Sequence, residues 1–151
     1  MTTLPAASPG HVGLSVTDLD RSIAFYHDLL DLELVHRSDE GGRRFAFLGT
    51  GGRVFLTLWQ QGRGPHEPGP AGLHHLAFEL PTVEAVRAVE ARLRSRGITP
   101  LYDGIVPHQE GAESAALYFV DPDGIRLELY SPSGADTLTA PATDGPACGF
   151  F

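Results

Sequence analysis

An α+β fold of two βαβββ modules, forming a cupped mixed sheet with helices on its outer face, is predicted by three observations. An alternating strand recurs in the two halves of the chain, a helix-spaced apolar stripe follows each copy, and a Gly/Pro-rich break separates them. In GLHHLAFEL at 72–80, alternation puts Leu76, Phe78 and Leu80 on one face and His75, Ala77 and Glu79 on the other. HVGLSV at 11–16 obeys the same rule, with Val12, Leu14 and Val16 opposite His11, Gly13 and Ser15, and the two histidines stand 64 residues apart. An apolar face of this kind needs a helical layer behind it, and the small polar face is left to enclose something.

The first module is assigned to 11–61, after a Pro/Ala/Ser-rich lead at 1–10. Thr17 or Asp18 caps a helix whose Leu19, Ile23, Tyr26 and Leu30 fall along one stripe, ending near Asp31. LELVHR at 32–37, RRFAFLG at 43–49 and RVFLTLWQQ at 53–61 alternate as strands, with Gly41-Gly42 and the glycines of 49–52 as hairpin signals between them. GRGPHEPGPAG at 62–72 cannot hold a regular element and reads as a linker, with His66 solvated in it. The second module, 73–132, repeats the order: a strand to residue 80, then a helix opened by Thr82 with Val83, Val86, Val89 and Leu93 on one stripe and a stop at Gly97. Strands are expected near 98–102, 115–120 and 125–130. The clear difference is a longer connection, DGIVPHQEGAES at 103–114, and a loop lengthened in one copy of a repeat suits substrate handling. Residues 133–151 form a tail, expected to be disordered up to about Pro146. Its apolar Cys-Gly-Phe-Phe end does not suit a solvated tail and suits docking on the body or on a second subunit.

Composition narrows the function classes. A formal charge of −8 without a basic cluster argues against nucleic acid as a partner. No apolar run approaches the roughly 18 residues that span a bilayer, and MTTLPAASPG has neither a basic flank nor an apolar signal core, so a cytoplasmic protein without a membrane partner is expected. The single Cys148 excludes an internal disulfide and fits a reducing compartment. All 11 basic residues are arginine, which removes Schiff-base lysine and P-loop chemistry.

The last strand carries the strongest chemical signal. Asp-Pro-Asp-Gly at 121–124 is a turn that delivers IRLELY, where Ile125, Leu127 and Leu129 face the helix. Arg126, Glu128 and Tyr130 then share the side of His75. A carboxylate in a strand built for burial asks for a partner. His11, His75 and Glu128 are candidate ligands of one metal ion: two imidazoles and a carboxylate with open positions match non-haem Fe(II) oxygenases, and three protein ligands plus water also suit catalytic zinc. Singly, a histidine on a strand face is more often a hydrogen-bonded surface or core residue than a ligand, and Glu128 alone could pair with solvent or with the neighbours of Arg126; their equivalent places in a repeat give the set its weight. His74 is the rival of His75, but its parity points toward the helix side or the strand end. His27 and His36 read as surface residues.

The paired βαβββ modules, His11 in HVGLSVTDLDRSIAFY, His75 in LHHLAF and Glu128 after DPDG in IRLELY resemble the vicinal oxygen chelate superfamily over residues 9–132. That superfamily includes glyoxalase I, fosfomycin-resistance proteins, methylmalonyl-CoA epimerase and extradiol dioxygenases. The resemblance implies two modules cupping a divalent metal, with ligands from their first and last strands, and a homodimer in which His11 can serve a site completed by the other chain's His75 and Glu128. Glyoxalase I-like members carry a second glutamate on the last strand of the first module. Here LTLW at 56–59 lies opposite LELY at 127–130, which places Thr57 at that position, or Leu56 after a one-residue shift; neither is a normal ligand.

The three-ligand pattern therefore resembles extradiol dioxygenases and fosfomycin-modifying members more than glyoxalase. Phe55 and Trp59 share parity with Thr57 and can stack on a flat substrate or fill core or interface. Arg126 joins them as a substrate contact. Tyr130 and His108 are candidate proton-handling residues, with strand-end or loop-surface roles as the plain readings. The expected function is an Fe(II) oxygenase acting on a small substrate with adjacent oxygens. The alternatives are a Lewis-acid isomerase, epimerase or transferase using Zn, Mn or Ni, and a non-catalytic drug-binding resistance protein. The lack of a cationic groove makes a phosphonate drug the less attractive substrate.

Overall fold

The protein was analysed as a computed structural model, which describes residues 1–141, 145–149 and 151. The chain forms two compact units, Met1–Gly64 and Pro65–Phe151. In the first, β1 (Val12–Ser15), α1 (Leu19–Leu30), β2 (Glu33–Ser38), β3 (Phe45–Thr50) and β4 (Arg53–Trp59) make a sheet of order β1-β4-β3-β2. In the second, β5 (Leu76–Glu79), α2 (Val83–Ser95), β6 (Val106–Pro107), β7 (Ala115–Val120) and β8 (Arg126–Ser131) make a sheet of order β5-β8-β7-β6. In both sheets the first strand pairs parallel with the last and the other pairings are antiparallel. Each unit is thus a βαβββ module with its helix packed on its own mixed sheet.

Both helices begin on side-chain caps. The Asp18 carboxylate accepts from the Arg21 amide at 3.0 Å, and the Thr82 hydroxyl accepts from the Ala85 amide at 3.2 Å, each quenching a free first-turn donor. The α2 stripe of Val83, Val86, Val89 and Leu93 is buried as expected. In α1 the buried stripe ends at Leu29 rather than Leu30, because a three-residue step from Tyr26 keeps to the same face. Leu48, Leu56 and Leu58 in one unit, and Leu117, Leu127 and Leu129 in the other, supply fully or almost fully buried side chains beneath these helices. Each contributes about 1.5–3 kcal/mol of transfer free energy. At the β3–β4 turn, a Cβ on Gly49 would lie 1.7 Å from the Arg53 carbonyl oxygen, so only glycine lets the two strands close there.

Three segments depart from the sequence reading. The strand expected at 98–102 is absent: Pro100 offers no amide to a ladder, and Tyr102 and Asp103 take left-handed conformations (φ 54° and 58°) in a short 3-10 turn, Leu101–Asp103. The edge place goes to the two-residue β6. Residue 66 is not merely solvated, since its amide donates to the Asp123 carbonyl at 2.8 Å and its Nε2 is buried. The tail is packed over much of its length. Ala135 lies buried against Val83 and Ala115, with Leu138 alongside, and its amide donates to Glu113 at 3.0 Å. Ala147 is fully buried in a cluster with Val106, Ala116 and Tyr118. Residues 142–144, also expected to be disordered, lie outside the described residues.

Candidate metal centre

Register fixes the positions of the key side chains. In the second sheet Ala77 pairs with Glu128, and in the first Gly13 pairs with Thr57, one repeat earlier. Thr57, not Leu56, is therefore the counterpart of Glu128. The DPDG turn that launches β8 is tied by Asp121, whose carboxylate accepts from the amides of Asp123 and Ile125 at 2.9 Å each. Gly124 completes it at φ 84°.

Glu128 is 3% exposed, so both carboxylate oxygens need partners. His75 Nε2 lies 3.1 Å from Oε2, and His108 Nε2 is hydrogen-bonded to Oε1. His108 is held in turn through Nδ1 by the Ser114 hydroxyl at 2.6 Å. With Nε2–H donating to the carboxylate, neutral His108 accepts the serine proton at Nδ1. The Nδ1 atoms of His74 and His75 are 2.8 Å apart, so one ring donates to the other. His75, not His74, faces the carboxylate, and His74 orients it. A metal ion on His75 Nε2 would leave the proton on Nδ1, donated to His74, the arrangement in which an outer partner fixes a ligating imidazole.

A third group enters from the C-terminal segment. Ligand atoms of His75, Glu128 and Cys148 all lie within 4.8 Å of one another. Burial first, and then the charge of Glu128, push the Cys148 thiol above its ordinary pKa. Tyr118, which pairs with Glu128 across the sheet, is fully buried and its hydroxyl has no partner among the described residues. Burial and the nearby Glu128 and Cys148 push that hydroxyl far above its usual range. An imidazole, a carboxylate and a thiol beside an unused hydroxyl fit a borderline divalent ion such as zinc, and a bound ligand would give the hydroxyl something to hold.

The remaining predicted residues are placed as follows. The Tyr130 hydroxyl donates to Glu79 at 2.7 Å, an interaction that raises its pKa, and its ring lies 5.6 Å from His108. The Arg126 guanidinium sits 5.6 Å from the centre of the Phe151 ring. His108 also lies on the wall of a cavity of about 970 Å³ between the 107–113 loop and residues 135–141. In the first unit, His11 is exposed just before β1. Thr57 is buried and accepts from Trp59 Nε1 at 2.9 Å. Trp59 stacks on Phe45 at 5.0 Å and meets Phe47 edge-on, and His36, read as a plain surface residue, packs against both phenylalanines at 5.7 Å. Phe55 is half-buried on the same strand as Trp59. Sequence reasoning passed over Tyr118, Glu79 and the proximity of Cys148 to the carboxylate. Only the apolarity around Cys148 signalled that it would leave solvent.

A buried carboxylate on the closing strand of a βαβββ unit, flanked by imidazoles and a thiol, is a place that can hold a divalent metal, and with the likenesses below it makes this a metal-binding enzyme acting on a small molecule. The chain belongs to the Glyoxalase/Bleomycin resistance protein/Dioxygenase superfamily, which matches residues 8–129. It is 33% identical over 133 residues to the glutathione transferase FosA of Serratia marcescens, spanning 88% of this chain and 86% of that protein. It is 31% identical over 124 residues to the catechol-2,3-dioxygenase of Bacillus subtilis (strain 168), spanning 81% of this chain but only 40% of that protein. Among solved structures, a glyoxylase/bleomycin resistance protein/dioxygenase domain from Frankia sp. EAN1pec is similar with a TM-score of 0.66 and 30% identity, covering 85% of this chain and 98% of that one. No helix among the described residues is long and apolar enough to cross a membrane.

Proposed function

We propose that this chain is a Lewis-acid enzyme of the transferase or isomerase kind, acting on a small electrophile with adjacent oxygens, its divalent metal held by His75, Glu128 and His11. The observation that carries the reading is one of extent: the likeness to the Serratia transferase spans 86% of that protein, whereas the likeness to the Bacillus dioxygenase spans 40%. It displaces iron-dependent oxygenation as the first expectation. His11 lies in the other unit and joins the set as part of this proposal, from the same chain or from a second copy in a homodimer.

The chain's own groups have distinct tasks under this reading. His75 and Glu128 present ligand atoms, His74 fixes the His75 ring, and His108 holds the second oxygen of Glu128 so that the carboxylate keeps one orientation. When bound, a divalent ion would polarise a substrate oxygen. The buried Tyr118 hydroxyl can donate to an oxygen brought to the site, and Tyr130, whose one hydroxyl proton goes to Glu79, presents only an acceptor oxygen nearby. Arg126 offers positive charge on the same sheet face. The ring surface of Phe45, Phe47 and Trp59, with Phe55 on the same strand, offers stacking to a flat substrate.

A second reading, an Fe(II) dioxygenase, is supported by the His/His/Glu donor set and the Bacillus likeness. Metal content of anaerobically purified protein, compared with His11→Ala, His75→Ala and Glu128→Ala, tests both. Zinc, nickel or manganese that disappears in the variants, with thiol transfer to a small epoxide, is the expected result. Iron with oxygen uptake on catechol would move the assignment to the second reading. Full metal occupancy in Glu128→Ala would overturn the ligand set.

A further inference from the structure

The proposed ligand set leaves unused the one thiol of the chain, which the structure sets beside it. Cys148 is followed closely by the last residue and lies in a 3-10 turn, Ala147–Gly149. Nothing about a cysteine alone makes a site, but here its Sγ stands within 4.8 Å of both the His75 and the Glu128 ligand atoms. The position is held from both sides. On one side the Ala147 amide donates to the His108 carbonyl at 2.7 Å, and the Ala147 carbonyl accepts from the Tyr102 hydroxyl at 3.0 Å. Tyr102 provides that hydroxyl from a left-handed backbone conformation (φ 54°) that a bulky residue adopts at a cost. On the other side, the Phe151 ring lies 4.5 Å from Tyr118, 5.7 Å from His75 and 5.6 Å from the Arg126 guanidinium. A free tail has no need of such fastening.

We propose that Cys148 is a protein ligand of the metal, so that the C-terminal segment closes the site as a strap carrying a thiolate. The inference rests on the metal-site reading of His75 and Glu128. Binding converts the thiol to thiolate, with its proton released to solvent. His75, Glu128 and Cys148 then form a nitrogen, oxygen and sulfur set within one unit, which suits zinc or cobalt. The strap occupies space over the carboxylate, and a chelating substrate must compete with the thiolate for the ion. Phe151, wedged among Tyr118, His75 and Arg126, sets how readily the strap lifts.

Cobalt(II) reconstitution in thiol-free buffer tests this without an activity assay. Thiolate coordination gives an intense near-ultraviolet sulfur-to-cobalt band, and Cys148 is the only cysteine that can produce it. The expected result is a stoichiometric band in the wild-type protein and none in Cys148→Ser or Cys148→Ala. Cobalt affinity should fall by no less than the about 10-fold typical for losing an outer-shell partner. Phe151→Ala, which keeps the thiol, should weaken the band. Circular dichroism of each variant establishes that it is folded. Cobalt bound in a His75- and Glu128-dependent manner without the sulfur band overturns the role of Cys148 and leaves the metal site standing. Failure of the folded wild-type protein to bind cobalt overturns both.

Discussion

His108 and Glu128 form a hydrogen-bonded pair in which the imidazole takes one carboxylate oxygen and leaves the other to His75. The sequence marks His108 as a candidate proton-handling residue, yet both its ring nitrogens are engaged, one by Glu128 and one by Ser114. Its replacement by alanine should lower metal affinity about 10–100-fold, the usual effect of losing a ligand's outer partner. The metal-free protein should also lose about 1–3 kcal/mol from the unpaired buried oxygen. Metal titration and thermal unfolding of His108→Ala check the two effects. Unchanged metal affinity with a collapsed turnover rate would restore the proton-transfer role.

His74→Ala should behave differently from His75→Ala. The first removes the partner of His75 Nδ1 and should weaken metal binding by about 10-fold or somewhat more, whereas the second should abolish it. Calorimetric titration of both proteins gives the comparison. Equal losses would mean that His74 itself is a ligand.

Acid stability of the first unit should depend on the pairs of Asp20 and Asp39 with Arg37 and Arg44. Hydrogen bonds from Arg37, then Arg44, lower the Asp39 carboxyl from 3.8 to about 2. A carboxyl depressed on folding contributes its stability above its unfolded pKa and loses it as pH falls through the folded value. The stability difference between wild type and Asp39→Asn should therefore be full above pH about 4 and shrink toward pH about 2. Urea unfolding across that range measures it, and high salt should reduce the difference because the pairs are exposed.

Gly134→Ala tests whether the tail is part of the packed structure. Gly134 has φ 108°, and an added Cβ would come within 2.6 Å of the Val83 side chain. Strain and overpacking together should cost about 1–3 kcal/mol. A melting temperature equal to that of the wild type would mean that residues near Ala135 leave the body in solution.

The fold was legible wherever the signal was local and periodic. Alternation in LAFE and RLELYS, caps at Asp18 and Thr82, and the DPDG turn each state their structure within a few residues. Residues 98–102 misled because the apolar Ile98 and Leu101 look strand-like, while the left-handed turn at Tyr102 is set by what its hydroxyl reaches, 45 residues away. Parity put His75 on the face of Glu128 because both lie in or beside paired strands. It could not bring in His108 or Cys148, whose places are fixed by the loop and by the docked C-terminal segment, and neither has a periodic signature. Compositional polarity in the tail, with few apolar residues before Cys148, hid the small buried residues Ala135 and Ala147 that help anchor it.

The pairing of Gly13 with Thr57 bears on which relatives this chain can turn into. The Thr57 hydroxyl already serves as acceptor for the Trp59 indole, and it would stand 3.2 Å from any Cβ placed on Gly13. A glutamate at 57 would replace that hydroxyl and press a larger side chain into the same close space beside Gly13 and Trp59. Gaining a carboxylate there thus demands concerted changes at 57, 59 and their neighbours. A single substitution at 57 should therefore cost the first unit stability unless its neighbours change with it.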